Sequence, residues 1–436
     1  MRHADRGRHP VFRQPRGGTG AFRDGRHRVQ LSPVARALEV ALSASCAGDA
    51  PLGVAVSGGG DSVALLLALA GRRVHAVTVD HGLRPGAAAE AQFVAGICAR
   101  LGLRHDTLRW QGWDGQGNLQ DSARRARYRL IADWAAAQGI GRVALGHTRD
   151  DQAETVLMRL ARGAGVDGLS AMAPRRESLG VTWLRPLLGL SRADLRAYLA
   201  ERGQGWIEDP SNEDARFDRV QARRTLAALA PLGITAEGLA ETAARMGTAR
   251  AALEAATLEA AGRVAREDRG DVVLSRAGLD ALQGEIARRL LVASLCWVAS
   301  SEYPPRAEAL AETLAALGSA PRATLHGCLI ARETDDLRIG REPAALAGTV
   351  APAGALWDGR WWLDGPAEPG LEIRALGEGG LAACPDWRAT GLPRASLLAA
   401  PAVWRGAHLV AAPLAGLCNG WQARLATTLS QRIISH

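Results

Sequence analysis

A short apolar strand, a glycine turn and an apolar helix follow one another near the start of this 436-residue chain, and they constrain its fold most. Residues 54–65 read Val-Ala-Val-Ser-Gly-Gly-Gly-Asp-Ser-Val-Ala-Leu. Three successive glycines allow backbone angles and close approaches that a Cβ would forbid. A turn that enters a helix also presents unpaired N–H groups and the positive end of the helix dipole. The pattern therefore predicts an anion-binding turn between a strand and a helix.

The side chains of this turn suit a phosphate ligand with a divalent cation. Asp61 can hold Mg²⁺ against phosphate oxygens, since Mg²⁺ is usually bound by one or two carboxylates together with substrate phosphates. The turn is not a Walker A loop, which needs a lysine, because all 53 basic residues of the chain are arginine. An ordinary glycine turn is the alternative, and the accompanying serines and aspartate disfavour it. The predicted phosphate-binding residues are Ser57, Gly58, Gly59, Gly60, Asp61 and Ser62.

Strands and helices alternate along the chain from Pro33. This alternation predicts an α/β fold with a parallel sheet and helices on both faces. Ligands of such sheets lie beyond the carboxyl ends of the strands, so the turn at 57–62, residues 80–82 and residues 146–147 are expected to converge. The predicted helices are 33–45, 87–101, 120–138 and a helix ending near 162, and the predicted strands are 52–56, 74–80, 105–110 and 142–146.

Composition divides the chain into four predicted regions. Residues 1–31 are rich in Arg, Gly and His and are predicted to be a disordered basic tail. Residues 32–230 carry the α/β pattern of a catalytic domain. Residues 231–322 are rich in Ala, Leu and Arg and are predicted to be all-helical, and residues 323–436 contain short alternating segments typical of a small β-containing C-terminal domain.

Cysteine spacing and net charge indicate which compartment and which kind of partner to expect. None of the six cysteines has Cys-x-x-Cys spacing, which fits a reducing compartment. With no apolar run long enough to span a bilayer, a cytoplasmic protein without a membrane partner is expected. The net charge of +8 suggests an acidic partner such as nucleic acid. Most of that charge lies in the tail, so a basic face on the body must be local. The sequence leaves a homodimer open.

Four other segments carry a resemblance to a known family. Together with the glycine turn, they resemble the bacterial tRNA(Ile)-lysidine synthetases, a family of PP-loop (N-type) ATP pyrophosphatases. The resemblance runs from about residue 54 to residue 224 and is looser beyond. The segments are residues 80–84 (Asp-His-Gly-Leu-Arg), 120–128 (Gln-Asp-Ser-Ala-Arg-Arg-Ala-Arg-Tyr), 146–155 (Gly-His-Thr-Arg-Asp-Asp-Gln-Ala-Glu-Thr) and 206–212 (Trp-Ile-Glu-Asp-Pro-Ser-Asn).

The resemblance implies a complete reaction. Members of the family ligate free L-lysine to carbon 2 of the cytidine at the first anticodon position of tRNA(Ile) with a CAU anticodon. ATP adenylates the tRNA base, and AMP and pyrophosphate are released. The implied cofactors are ATP, as a substrate, and Mg²⁺. The implied partners are the tRNA and lysine, with the helical and C-terminal regions expected to grip the tRNA.

Arginines on the predicted helix 120–138 are candidates for contact with phosphate or base. Arg124 and Arg127 lie three residues apart and share a helix face, and a guanidinium can meet a phosphate bidentately. The resemblance assigns Arg127 to the adenylation step. Arg124, Arg219 and Arg223 are predicted to bind tRNA, and Arg219 and Arg223 match a downstream arginine motif of the family. A solvated basic face is the alternative, and it is preferred for Arg125 and Arg129.

Adjacent carboxylates form the second candidate group. Asp150 and Asp151 repel each other unless a cation lies between them, and Mg²⁺ or the lysine ammonium would serve. Asp151 and Glu154 are the predicted lysine-binding residues, whereas a plain helix N-cap is the alternative for Asp150. An attacking amine must lose a proton, and His147, Asp151 and Glu154 all remain candidate bases. His147 and His81 are predicted to help form the ATP pocket.

Two positions depart from the family pattern, and three other functions compete. Thr148 stands where a second histidine is common, and Val220 replaces the asparagine of the downstream motif. A related tRNA thiolase is disfavoured by the lack of a Cys-x-x-Cys pair. A small-molecule amidating enzyme would not need tRNA. A catalytically inactive RNA-binding protein is disfavoured by the intact glycine turn.

Overall fold

The computed structural model describes residues 11–13, 32–82, 86–111, 113, 119–208, 218–366 and 368–434. The chain forms two compact units, Met1–Arg250 and Ala251–His436. Of the predicted tail, only strand β1 (Val11–Arg13) is described. Residues 83–85 and 209–217, which belong to two of the motif segments, lie outside the described residues.

A six-stranded sheet forms the centre of the first unit and confirms the predicted parallel α/β fold. Its strand order is β4-β3-β2-β5-β7-β6, and every neighbouring pair except β6 with β7 is parallel. The order reverses between β2 and β5, which is the position where open sheets of this class bind ligands. The strands are β2 (Leu52–Ala55), β3 (Val74–Asp80), β4 (Arg104–Arg109), β5 (Arg142–Leu145), β6 (Arg175–Ser178) and β7 (Val181–Leu184).

Helices cover both faces of this sheet because apolar side chains point from it in both directions. Leu65, Val94 and Leu195 belong to the core on one face, and Ile131 and Trp183 belong to the core on the other. The helices of the unit are α1 (Pro33–Ser45), α2 (Gly60–Leu69), α3 (Ala87–Leu101), α4 (Leu119–Ala137), α5 (Arg149–Leu160), α6 (Val166–Leu169), α7 (Arg192–Glu201), α8 (Asp218–Leu229) and the start of α9 (Ala236–Val264).

A short strand supports the glycine turn from outside the main sheet. Strand β8 (Trp206–Glu208) pairs antiparallel with β1. The Ile207 N–H donates to the Gly58 carbonyl at 3.0 Å. A Cβ at Gly58, whose φ is +87°, would lie 2.7 Å from Ile207 Cδ1. The turn therefore needs glycine here, both for its backbone angle and for the space that Ile207 fills.

The second unit is a mixed α/β structure with antiparallel sheets. The five-stranded sheet has the order β11-β12-β13-β10-β9, the four-stranded sheet β14-β16-β17-β18, and β15 pairs with β19. The strands are β9 (Ala265–Asp268), β10 (Asp271–Ser275), β11 (Arg322–Leu325), β12 (Cys328–Arg332), β13 (Asp336–Arg341), β14 (Ala351–Pro352), β15 (Trp361–Asp364), β16 (Glu372–Ala375), β17 (Pro401–Arg405), β18 (His408–Ala411) and β19 (Gln422–Leu425). The helices are α10 (Arg276–Asp280), α11 (Gly284–Ala299), α12 (Ala307–Ala316), α13 (Gly377–Ala382), α14 (Arg394–Leu398) and α15 (Leu429–Ile434).

The segment 231–322 differs from the all-helical prediction. It contains helices, but also β9 and β10, which pair with each other and join β13. Val272 and Leu274 of β10 are fully buried in the core of the second unit. The strand was hidden because a run of three apolar residues is too short to show a period. None of the helices in the described ranges combines the length and the apolarity needed to cross a membrane.

Candidate active site

The glycine turn connects β2 to α2 through a network of its own hydroxyl groups. Ser62 Oγ donates to the Gly59 carbonyl at 2.9 Å and accepts the Ser57 N–H at 3.2 Å. The two serine hydroxyls lie 3.3 Å apart. Gly59 precedes the first helical residue in extended conformation and makes no side-chain cap. The N-terminal N–H groups of α2 are thus left to an anion, as the sequence predicts for this turn.

The end of β5 touches the glycine turn directly. A Cβ at Gly146 would lie 3.1 Å from Asp61 C and from Ser62 N. Thr148 then begins α5 as its N-cap, since its Oγ1 accepts the Asp151 N–H at 3.4 Å. In return, its backbone N–H and hydroxyl donate to Asp151 Oδ2, at 2.8 and 2.9 Å. The departure from the family pattern at Thr148 therefore builds a capping box. It also shows that Asp150 is not the N-cap of this helix.

Arg192, at the first position of α7, supplies the cation that the adjacent aspartates require. Its guanidinium lies 2.5 Å from Asp151 Oδ1 and 2.6 Å from Glu154 Oε1. Its Nε lies 3.4 Å from Asp61 Oδ2. Its backbone N–H donates to Asp150 Oδ2 at 2.9 Å. Sequence reasoning expected Mg²⁺ or a substrate ammonium between these carboxylates and missed this arginine.

Arginines of α8 complete the surroundings of the carboxylates. Arg223 Nε lies 3.1 Å from Glu154 Oε1, and Arg219 Nη1 lies 3.8 Å from Asp151 Oδ1. The two arginines predicted to bind tRNA thus reach the two carboxylates predicted to bind lysine. We call Asp61, Asp150, Asp151 and Glu154 the acidic cluster.

The acidic cluster has distinct titration properties. Burial raises the pKa of Asp61 to about 6, because desolvation outweighs the attraction of Arg192, and the neighbouring carboxylates of Asp151 and Asp150 add repulsion. The pKa of Asp151 is lowered, since Arg192 and the Thr148 backbone N–H together outweigh its burial. The negative charge of Asp61, at the end of the glycine turn, is therefore incompletely offset by the positive charge around it.

A second charged group lies on α4 and beside β7. We call Arg124, Arg127 and Arg185 the arginine cluster. Burial lowers the pKa of Arg127 and of Arg185, and the charges acting most strongly on both are Tyr128 and other arginines. Arg124 and Arg127 lie over the Tyr128 ring at 5.3 and 5.7 Å. Within the described part of the chain, no carboxylate forms an ion pair with these three arginines.

His147 lies between the two clusters. Burial lowers the pKa of its imidazole to about 3; Asp151 opposes this shift, and Arg185 and Arg127 reinforce it. Its Nδ1 is buried without a hydrogen-bond partner among the described residues. The ring is therefore neutral at physiological pH, and its surroundings disfavour the protonated form.

The remaining predicted pocket residue, His81, follows the end of β3. Its ring packs edge-on against Trp110, with the centroids 5.9 Å apart. The adjacent Gly82 N–H donates to Asp80 Oδ1 at 2.8 Å, which closes a tight turn. The described residues thus place turns at the carboxyl ends of β2, β3 and β5, as the α/β pattern predicts.

Asp61 is the residue whose chemistry suits a divalent cation. In the described residues, no group of three or more His, Cys, Asp or Glu side chains forms a protein-only metal cage. A Mg²⁺ ion bound through one carboxylate and substrate phosphates needs no such cage. The elevated pKa of Asp61 and its single 3.4 Å contact with Arg192 fit a carboxylate that awaits a further positive charge.

Arg185 and Arg192 are the site residues that sequence reasoning missed. The available signal was electrostatic, because two adjacent aspartates and a nearby glutamate demand a cation. The sequence could not tell which of its many arginines would supply it.

Known proteins resemble this chain over most of its length. A family model described as a PP-loop domain matches residues 32–230. A tRNA(Ile)-lysidine synthase of Ruegeria pomeroyi is 56% identical over 380 residues, covering 86% of this chain and 91% of that protein. One of Methylobacterium nodulans is 42% identical over 328 residues, covering 72% of this chain and 96% of that protein.

Among solved structures, the chain resembles a U34-tRNA thiolase from Methanococcus maripaludis with 14% identity and a TM-score of 0.42. That match covers 49% of this chain and 77% of that one. A similarity at this level carries no functional argument.

Proposed function

This chain belongs to the tRNA(Ile)-lysidine synthase family, and on that premise we propose that it converts the anticodon wobble cytidine of tRNA(Ile) with a CAU anticodon to lysidine. The enzyme is a carbon–nitrogen ligase that consumes ATP. The products are the modified tRNA, AMP and pyrophosphate.

The position of the glycine turn is the observation that carries this proposal. It lies after β2, where the strand order of the sheet reverses, and the N-terminus of α2 that follows it has no side-chain cap. The arginine cluster adds cationic charge without carboxylate partners in the described residues. Together these features suit a nucleoside triphosphate and a nucleic acid phosphate in one site.

The chemistry needs two successive displacements. The oxygen on carbon 2 of cytosine first attacks the α-phosphorus of ATP, and the bond from that phosphorus to pyrophosphate breaks. The lysine side-chain amine then attacks carbon 2, and AMP departs with the oxygen. We assign Arg127 to stabilising charge in the first step, as the family resemblance implies, because its guanidinium is partly buried and is not neutralised by a carboxylate.

Metal binding is part of the proposal. Asp61 would hold Mg²⁺, with Ser57, Ser62 and the turn amides on the phosphates. A bound Mg²⁺ supplies charge neutralisation for the departing pyrophosphate.

The lysine side of the site is assigned to Asp151 and Glu154, which are only 6% and 1% exposed. Because both carboxylates already contact arginines, the ammonium would join an existing ionic network. His147, Asp151 and Glu154 all remain candidate bases, and the lowered pKa of His147 makes it a weak one at neutral pH.

Binding of the tRNA is assigned to Arg124, Arg219 and Arg223 near the site and to the regions 231–322 and 323–436. Cytoplasmic location and a homodimer remain predictions from the sequence.

The test is direct incorporation of lysine. Purified protein is incubated with ATP, Mg²⁺, radiolabelled lysine and a tRNA(Ile) transcript with a CAU anticodon, and label must enter the tRNA with release of AMP. A methionine tRNA transcript is the matched control. Absence of label from the tRNA(Ile) transcript overturns the proposal.

A further inference from the structure

The side chain of Arg192 connects two parts of the site that belong to different elements. Its guanidinium contacts Asp61 at the start of α2, and it contacts Asp151 and Glu154 on α5, all within 3.4 Å. The Arg192 side chain is only 19% exposed. A single planar group therefore spans the nucleotide side and the amine side of the proposed site.

The fold holds this guanidinium in a fixed position. Ser191 caps α7, and its hydroxyl and backbone N–H both donate to Asp194 Oδ2, at 2.6 and 3.0 Å. Leu195 and Leu199, further along the same helix, are fully buried in the core. The start of the helix is thus anchored without the Arg192 side chain, so the side chain can be changed without removing the helix.

Arginine is suited to this position and lysine is not. A guanidinium presents five N–H donors in a rigid plane and can meet several carboxylates at once, whereas an ammonium is a compact point charge. Without the guanidinium, Arg219 and Arg223 would still contact Asp151 and Glu154, but Asp61 would face these carboxylates without its ion pair, and like charges repel.

We propose that Arg192 is a positioning residue that holds the nucleotide turn and the amine-binding carboxylates of α5 at one fixed spacing. This inference rests on the proposed function. In the absence of the guanidinium, Asp61 moves apart from Asp151 and Glu154, and the adenylated base and the lysine amine no longer meet. Both substrates are then affected by a residue that is assigned to neither.

The experiment compares Arg192→Lys and Arg192→Gln with wild type and with Arg196→Gln. Arg196 is the matched control, because it lies one turn further along α7, its side chain is 55% exposed, and its ion pair, with Glu208 at 3.9 Å, lies outside the acidic cluster. Its charge acts on Asp61 less than that of Arg192 does. Arg192→Lys is expected to lower kcat for lysine transfer by about 100-fold, the scale of a 1 Å misplacement. The KM values for ATP and for lysine should rise together, and Arg196→Gln should stay within about twofold of wild type.

A second measurement separates positioning from folding. Millimolar methylguanidinium should restore at least about a tenth of the lost activity to Arg192→Ala, as expected for a displaced guanidinium, and should leave Arg196→Gln unchanged. If Arg192→Gln fails to fold, Arg192→Lys decides, because it keeps the charge.

Three outcomes overturn the inference: Arg192→Lys with wild-type kinetics, a rise in KM for only one substrate, or lost activity that methylguanidinium does not restore. Failure of the wild-type protein to label tRNA refutes the proposed function instead.

Discussion

The acidic cluster and the arginine cluster both act electrostatically on His147 and differ in how their own charge is neutralised. In the acidic cluster, Arg192 and Arg223 contact the carboxylates, at distances down to 2.5 Å. In the arginine cluster, the described residues supply no carboxylate. Ion pairs therefore offset the burial of carboxylates in the first cluster, whereas the partly buried Arg127 and the buried Arg185 of the second have no ion-pair partner among the described residues.

This difference separates two uses of buried charge. A neutralised cluster keeps its geometry without substrate, so it suits positioning. A cluster with excess charge of one sign destabilises the free protein and is relieved by a ligand of the opposite sign. The arginine cluster is thus expected to bind anionic substrate, and Asp61, at the edge of the acidic cluster, to bind a cation.

The largest expected effect is at Asp61. Asp61→Asn should lower pyrophosphate release by about 1,000-fold, the loss typical of removing a main electrostatic contact to the transition state. Binding of tRNA, measured by gel shift, should stay nearly intact. Asp133→Asn, an exposed position on α4, is the control. Unchanged turnover in Asp61→Asn would refute the metal role.

Arg127 tests the uncompensated cluster. Arg127→Gln should lower the rate of tRNA adenylation by about 100-fold without lowering the free energy of unfolding, because no ion pair is lost. Single-turnover formation of adenylated tRNA and urea unfolding measure the two quantities. Arg129→Gln, exposed on the same helix, should change neither. A clear loss of stability in Arg127→Gln would show that the cluster is compensated after all.

Glu154 tests the neutralised cluster in the opposite sense. Glu154→Gln should lower the free energy of unfolding by about 2 kcal/mol, since hydrogen bonds from two arginines to a buried carboxylate are weakened. The KM for lysine should also rise. Urea unfolding at neutral pH provides the measurement, and Glu237→Gln, whose side chain is 68% exposed, is the control. Equal stability of the two variants would contradict the comparison.

The smallest expected effect is a pH dependence from Asp61. Its pKa of about 6 lies above the ordinary value of 3.8. Protonation therefore stabilises the free protein fully below about pH 4, and this contribution is lost as the pH rises through 6. Activity follows the opposite direction, because only the carboxylate binds a cation.

The value of kcat/KM for ATP should accordingly rise about tenfold between about pH 5 and pH 7, with about half of the final value reached near pH 6, and level off above 7. Because its pKa is about 3, His147 adds no limb near 6.5. A flat profile across this range would be incompatible with the assignment of Asp61.

The sequence predicted the first unit well because its signals are local. Helix α1, strand β3 and helix α3 have the bounds that periodicity indicated, and the other central elements agree within about two residues. Strands β6 and β7 were missed, since the polar Arg-Arg-Glu-Ser of β6 (Arg175–Ser178) has no alternation of apolar residues. In the second unit, β9 and β10 were hidden because tertiary pairing, rather than propensity, fixes such short strands.

The parts of the site formed by residues close together in the sequence were predictable. The parts formed by packing between distant segments were not. The turn 57–62 and the segment 146–155 can be recognised in the sequence by their residue types and spacing. Arg192 does not, because it lies 38 residues after Glu154 in the sequence and reaches it only through the packing of α7. The sequence shows that Asp150 and Asp151 need a nearby cation, but it does not show which residue supplies it.

Gly146 lies where the glycine turn and the segment before α5 contact each other. Its missing side chain lets the end of β5 rest against the first turn of α2, with 3.1 Å between the site of a Cβ and Ser62 N. A methyl group there would push the end of β5 away from the first turn of α2. Replacing one hydrogen atom of Gly146 by a methyl group is therefore the smallest change that would separate triphosphate use from amine use in this fold.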